Sequence, residues 1–259
     1  MKGPMSSAPN TQSIPQASAS WWTRLANPTR FMALAGRLIP WLAALTLIAG
    51  AIGLYLGFSA PEDYQQGATV QIMFIHVPSA WLAMMCYSVM SISALGTLVW
   101  RHPLADVSLR AAAPIGAAFT LLALITGSLW GKPMWGTWWV WDARLTSVLV
   151  LLIIYLGLIA LARAIEDPVQ AAKPLAIMTL VGFINIPIIK FSVDWWNTLH
   201  QPASVSRFAR PAMDAAFLYP LLVMALAYTL FFFPLHIMNM RNEILARRIR
   251  VLKLRQAGR

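Results

Sequence analysis

Cysteine is nearly absent: Cys86 is the only one in 259 residues. A lone thiol excludes an internal disulfide and a Cys-based zinc site. No CxxCH occurs, so the chain is not itself a c-type cytochrome. No GxxxxGK[ST] occurs, which excludes ATP hydrolysis through a P-loop. Charge is scarce too. Asp, Glu, Lys and Arg make up 11% of the chain, whereas soluble domains carry about a quarter. Acidic residues are the rarest class, nine against twenty Lys and Arg. The basic excess is not interleaved with aromatics on one face, so nucleic acid is not the expected partner.

Apolar residues fill the gap, at 59% of the chain. A spanning helix needs roughly 20 mostly apolar residues. Six such runs can be read, at 38–58, 78–100, 111–130, 146–163, 174–192 and 213–235. The expected fold is an all-α polytopic membrane protein, a bundle of six transmembrane helices with a Trp-rich outer loop. Three parts follow. Residues 1–36 form a disordered cytoplasmic segment, rich in Ser, Pro, Gln and Ala at its start. Residues 37–236 form the membrane domain, and 237–259 a basic cytoplasmic tail. No cleavable signal peptide is expected, because no short apolar core follows a basic start. The tail fits either anchoring on anionic headgroups or docking of a cytoplasmic partner.

Lys and Arg resist translocation and so orient the spans. Lys2, Arg24, Arg30 and Arg37 precede the first span. Arg101, Arg110, Arg163 and Lys173 lie in the second and fourth loops, and seven more basic residues follow the last span. The first loop has no Lys or Arg, and the third and fifth have only Lys132, Arg144, Arg207 and Arg210. Both termini are therefore expected in the cytoplasm. The loops at 59–77, 130–146 and 193–212 face outward.

The third loop reads WGKPMWGTWWVWDARLT from Trp130 to Thr146. Tryptophan collects at membrane interfaces because its ring is apolar and its N–H polar. Trp21, Trp22, Trp41, Trp81 and Trp100 need no other role. Trp130, Trp135, Trp138, Trp139 and Trp141 are denser than anchoring requires, and suit a wide, flat, apolar ligand. Trp135, Trp138, Trp139 and Asp142 share a helical spacing that would place them on one face of a short interfacial helix. Gly131, Pro133 and Gly136 are expected to break the chain before it. Asp142 either caps the fourth span or pairs with Arg144.

The topology sorts the histidines. His76 and His200 lie on the outer side and flank the Trp-rich loop in sequence. His102 and His236 lie at cytoplasmic helix ends, with no ligand role expected. Two neutral imidazoles from different segments make an axial pair for haem iron. Haem carboxylates need cationic partners. The outward candidates are Lys132, Arg144, Arg207, Arg210 and Lys190, the last inside the fifth span, where snorkelling is the alternative. Pro187 frees the carbonyl of Phe183 nearby, and Asn185 bonds either to that backbone or to a neighbouring helix.

The Trp-rich motif, with HVPSAW upstream and SVDWWNTLHQP downstream, closely resembles the cytochrome c maturation protein C family (haem exporter protein C, CcmC), within the wider group carrying a Trp-rich "WWD" domain. The likeness runs from about Pro40 to the sixth span. It implies a multi-pass protein of the bacterial inner membrane that holds non-covalent, b-type haem at the periplasmic face. It implies axial ligation by His76 and His200, and contact of Trp130 to Asp142 with the haem edge. It also implies delivery to a periplasmic haem chaperone, beside an ABC-transporter-like complex with a cytoplasmic ATPase and other membrane subunits. Gln71 stands where some relatives carry a basic residue, which turns the search for carboxylate partners to Lys190 and Arg144. No enzymatic motif is present. The rival reading is a b-type haem electron-transfer subunit, which would place histidine pairs within facing helices at membrane depth.

Overall fold

A computed structural model describes residues 26–200, 205 and 212–258. Seven α-helices occur among these residues: α1 Pro28–Phe58, α2 Met73–Val99, α3 Ala105–Trp135, α4 Ala143–Ala164, α5 Pro168–Gly182, α6 Asn185–Trp195 and α7 Ala215–Ala257. A 3-10 turn, Ala68–Ile72, leads into α2. Among the described residues six helical units are long and apolar enough to cross a membrane, α5 and α6 together making the fifth. The expected all-α polytopic architecture is therefore present.

The spans are longer than hydropathy alone marks. α1 begins at Pro28, with Asn27 accepting from the Thr29 and Arg30 amides. α3 continues through Gly131 and Pro133 to Trp135. Those two residues do not break the chain as expected. Gly131 is needed inside the helix, because a Cβ there would meet the Trp135 ring at 3.1 Å. Pro234 likewise leaves α7 intact, and the helix runs on without interruption through the basic segment 237–257. Prolines are tolerated in spanning helices where neighbours satisfy the freed backbone.

Expected as one helix, the fifth span is two. α5 ends at Gly182, and α6 starts at Asn185 with Pro187 in its first turn, where a missing N–H costs little. The Phe183 carbonyl is not left open. It accepts from the Ile186 amide at 2.9 Å, closing a tight turn. Asn185 takes the second of its two expected partners, donating to the Ser147 carbonyl of α4 at 2.8 Å.

Lipid removes the hydrophobic drive between spanning helices, so close packing and buried hydrogen bonds hold them together. At the centre, Tyr87 donates to the Thr179 carbonyl at 3.0 Å and Tyr155 to the Ala83 carbonyl at 2.7 Å. Their rings meet edge-on at 5.3 Å. The two bonds tie α2 to α5 and α4 to α2. α1 lies at the periphery and buries only Ala35, Gly53 and Gly57, the last two against Met224 and Phe74. At the end of the bundle carrying the chain's basic segments, Arg247 bridges Asp106 at 2.7 Å and Glu243 at 2.8 Å, locking α7 to α3.

Candidate functional site

The opposite end gathers the start of α2, the end of α3, the start of α4 and the end of α6. His76 sits on the first turn of α2. Its Nδ1 lies 3.1 Å from the Ala123 carbonyl and 3.1 Å from Thr126 Oγ1, both on α3. The Thr126 hydroxyl already donates to the Leu122 carbonyl at 2.7 Å. Toward His76 it can only accept, as the carbonyl can. Nδ1 therefore carries a proton, and in the neutral ring Nε2 keeps its lone pair, the form a metal-binding imidazole requires. Gly127 makes room for the ring: a Cβ there would meet His76 Cε1 at 3.0 Å. Trp130 closes the same side, its ring 5.7 Å from the imidazole, and donates Nε1 to Gln66 Oε1 at 3.0 Å.

Trp135, five residues on, lies about 7.5 Å further along the α3 axis and meets His200 edge-on at 5.0 Å. His200 follows α6 in a short turn, its backbone N–H donating to Thr198 Oγ1 at 3.1 Å. Its Nδ1 lies 3.5 Å from Asp142 Oδ2. Burial pushes the His200 ring below the usual imidazole range, and the Arg144 charge lowers it further, against the opposing pull of Asp142. The ring is therefore neutral at pH 7 and able to ligate.

Asp142 does two jobs at once. Oδ1 accepts from the Leu145 amide at 2.7 Å and caps α4. Oδ2 faces His200 and accepts from the Leu199 amide at 3.4 Å. Of the two roles open to it from sequence, capping is the one realised. Arg144 turns away to α6, donating to Ser192 Oγ at 3.2 Å and to the Ile189 and Lys190 carbonyls at 3.4 Å. Lys190 lies half-buried on α6 beside this clamp.

The short tryptophan-bearing helix does not form. Gly136, at φ 74°, ends α3 in a left-handed conformation, and its N–H bonds the Lys132 carbonyl at 3.0 Å. Lys132 Nζ seals the turn, bonding the Gly136 carbonyl at 2.9 Å and lying 5.8 Å from the Trp138 ring centre. Residues 137–142 then run without helix, so their side chains fan out rather than sharing a face. Trp138 and Trp141 are 56% and 75% exposed. Trp139 is half-buried, edge-on to Trp141 at 5.5 Å. Its Nε1 is buried with no acceptor among the described residues.

Of the residues expected in the site, the structure brings together His76, His200, Trp130, Trp135, Trp138, Trp139, Trp141, Asp142 and Arg144, with Lys190 alongside. Arg207 and Arg210 lie outside the described residues. His102 sits at a helix end as expected. His236 does not: it is buried within α7, stacked on Phe232 at 5.0 Å, with Nε2 3.1 Å from Ser108 Oγ. Thr126, Gly127 and Gln66 were not anticipated. Ala123, Thr126/Gly127 and Trp130 recur at helical spacing, the one signal that could have aligned them beneath His76.

Fold and site together define a polytopic helical membrane protein with two neutral histidines and a tryptophan-lined platform at one end of its bundle. The family model described as Heme exporter protein C matches residues 21–255, and the chain belongs to that family. It is 69% identical to Heme exporter protein C of Bradyrhizobium diazoefficiens over 235 residues, covering 91% of this chain and 89% of the relative. It is 47% identical to the Escherichia coli K12 protein of the same name, covering 86% and 90%. A Marchantia polymorpha mitochondrial protein, described as ccmC-like and assigned to cytochrome c biosynthesis, is 48% identical over 71% of this chain and 78% of its own length.

Proposed function

We propose that this protein binds haem at the outer face of the bacterial inner membrane and delivers it to a periplasmic haem chaperone for c-type cytochrome biogenesis. The observation that carries the reading is a pair of imidazoles at one end of the bundle, each edge-on to a tryptophan of α3. The proton on His76 Nδ1 is held by Ala123 and Thr126, which leaves Nε2 free. His200 meets the same end of α3 through Trp135. His76 and His200 supply the two axial nitrogens. Trp130, Trp135, Trp138, Trp139 and Trp141 cover the apolar porphyrin edge, each Å² of buried apolar surface contributing roughly 25 cal/mol. Trp139 Nε1 is a donor without an acceptor among the described residues, and the cations Arg144 and Lys190 would serve the haem carboxylates by exchanging contacts they already hold.

The haem is cargo, held non-covalently as b-type and passed on. Chemistry of covalent attachment belongs to the recipient, and this chain contributes positioning. Its role is that of a transport component rather than an enzyme. The exposed Trp138 and Trp141 leave the platform open to a docking chaperone. Both termini lie in the cytoplasm, where the basic end of α7 faces an ABC-transporter-like complex with its ATPase and other membrane subunits.

The test is the absorption spectrum of protein purified from membranes. His76→Ala and His200→Ala should each shift the Soret band and lose haem, while His102→Ala and His236→Ala should not. Unchanged spectra in both outer-histidine variants would rule out axial ligation.

A further inference from the structure

We infer that the two ligands are unequal: Asp142 governs the grip of His200 on the iron, and His200 is the ligand that yields when haem is handed over. This rests on the bis-histidine reading above. His76 projects from the first turn of a long helix. Its Nδ1 is held by two neutral acceptors at 3.1 Å, both within the wall of α3. His200 stands five residues beyond the end of α6 at Trp195. Its Nδ1 is buried and makes no hydrogen bond among the described residues; the nearest charged group is the Asp142 carboxylate at 3.5 Å, one small ring shift from bonding distance. That carboxylate is buried and fixed, because its other oxygen caps α4 at 2.7 Å.

A carboxylate behind a ligand histidine fixes ring orientation and makes the imidazole a stronger donor; losing such a partner typically costs 10–100-fold in metal affinity. The neutral partners of His76 confer orientation with less of this electronic push. Asp142 is thus a positioning residue acting through His200. A chaperone that draws this segment outward would move Oδ2 from Nδ1 while the α2–α3 contacts of His76 stay in place. The exchange is a simple ligand substitution. His200 Nε2 would yield its place to the incoming donor, one lone pair replacing another, with no electron transferred.

The experiment titrates imidazole into the haem-loaded full chain in detergent, following the Soret band. Asp142→Asn retains an N-cap side chain but loses the charge. It should lower the imidazole concentration that displaces His200 by about 10–100-fold, with an unchanged thermal melt. Thr126→Val, which leaves the Ala123 carbonyl on His76, should shift it by less than Asp142→Asn does. In a His200→Ala background, Asp142→Asn should have no effect on imidazole binding, since its route is gone. A wild-type midpoint in Asp142→Asn, or an equal effect with His200 absent, would overturn the inference. A second measurement needs no substitution at Asp142. The electron paramagnetic resonance signal of the first intermediate in unsubstituted protein should match imidazole-rescued His200→Ala. A match to rescued His76→Ala would reverse the assignment. If neither outer histidine affects the Soret band, the underlying haem reading fails instead.

Discussion

Gly127→Ala separates the stability of the fold from the integrity of the ligand pocket. The added Cβ would stand 3.0 Å from His76 Cε1 and 3.5 Å from Nδ1, where ordinary contact begins at 3.4 Å. The helix backbone cannot retreat, so the imidazole must withdraw by about 0.4 Å, which stretches the 3.1 Å contacts of Nδ1 with Ala123 and Thr126 beyond good hydrogen-bonding distance. The lost bond costs about 0.5–1.5 kcal/mol. Replacing glycine by alanine within a helix returns about 0.8–1.0 kcal/mol. The two nearly cancel, so the melting temperature should stay within a few degrees. Ligation has no such compensation. An axial histidine misplaced with its orienting partners gone should bind haem about 10–100-fold more weakly. The assay is haem per protein after detergent purification, beside a thermal melt of the same sample. Full haem occupancy with a wild-type Soret band would refute the reasoning, because the ring would then have had room to spare.

Three other outcomes follow from the same geometry. In haem-free protein, burial and Arg144 hold His200 below the usual imidazole value near 6.5, so its ring should stay neutral to below that pH. The unfolded chain then binds more protons below pH 6.5, and stability should fall as pH drops through that range while staying flat above it. A titration of labelled histidine, assigned with His200→Ala, should give a midpoint under 6.5; a higher one would mean Asp142 outweighs burial. Trp138→Ala with Trp139→Ala should keep both ligands but slow transfer to the chaperone, scored as haem-loaded chaperone per cell; normal loading would reduce the segment to a membrane anchor. Gly116→Ala drives a Cβ into the Tyr155 ring at the bundle centre. It should cost about 1–3 kcal/mol through overpacking and lower the melting temperature without changing the Soret maximum, which a shifted spectrum in folded protein would contradict.

Much of the site was legible because its residue types are dense and unusual. Five tryptophans between two apolar runs, bracketed by histidines that charge bias assigns to one side, point to a flat ligand before any coordinates. What was not legible depended on single backbone choices. The helical spacing of Trp135, Trp138, Trp139 and Asp142 is real, yet Gly136 adopts φ 74° and ends the helix one residue into it. Pro234 carries a strong stop signal, yet neighbouring helices keep α7 continuous and His236 inside it.

Composition alone decided that this chain lives in a membrane, how many times its helices cross, and which two histidines share a side. Those properties follow from local sums of apolar area and charge, which need no knowledge of neighbours. Tertiary contact decided which nitrogen of His76 holds the proton, that Asp142 rather than Arg144 stands behind His200, and that Arg144 clamps α6. Each of these depends on groups tens of residues apart meeting at 3.1 to 3.5 Å, a proximity that no periodicity in a single strand of sequence encodes.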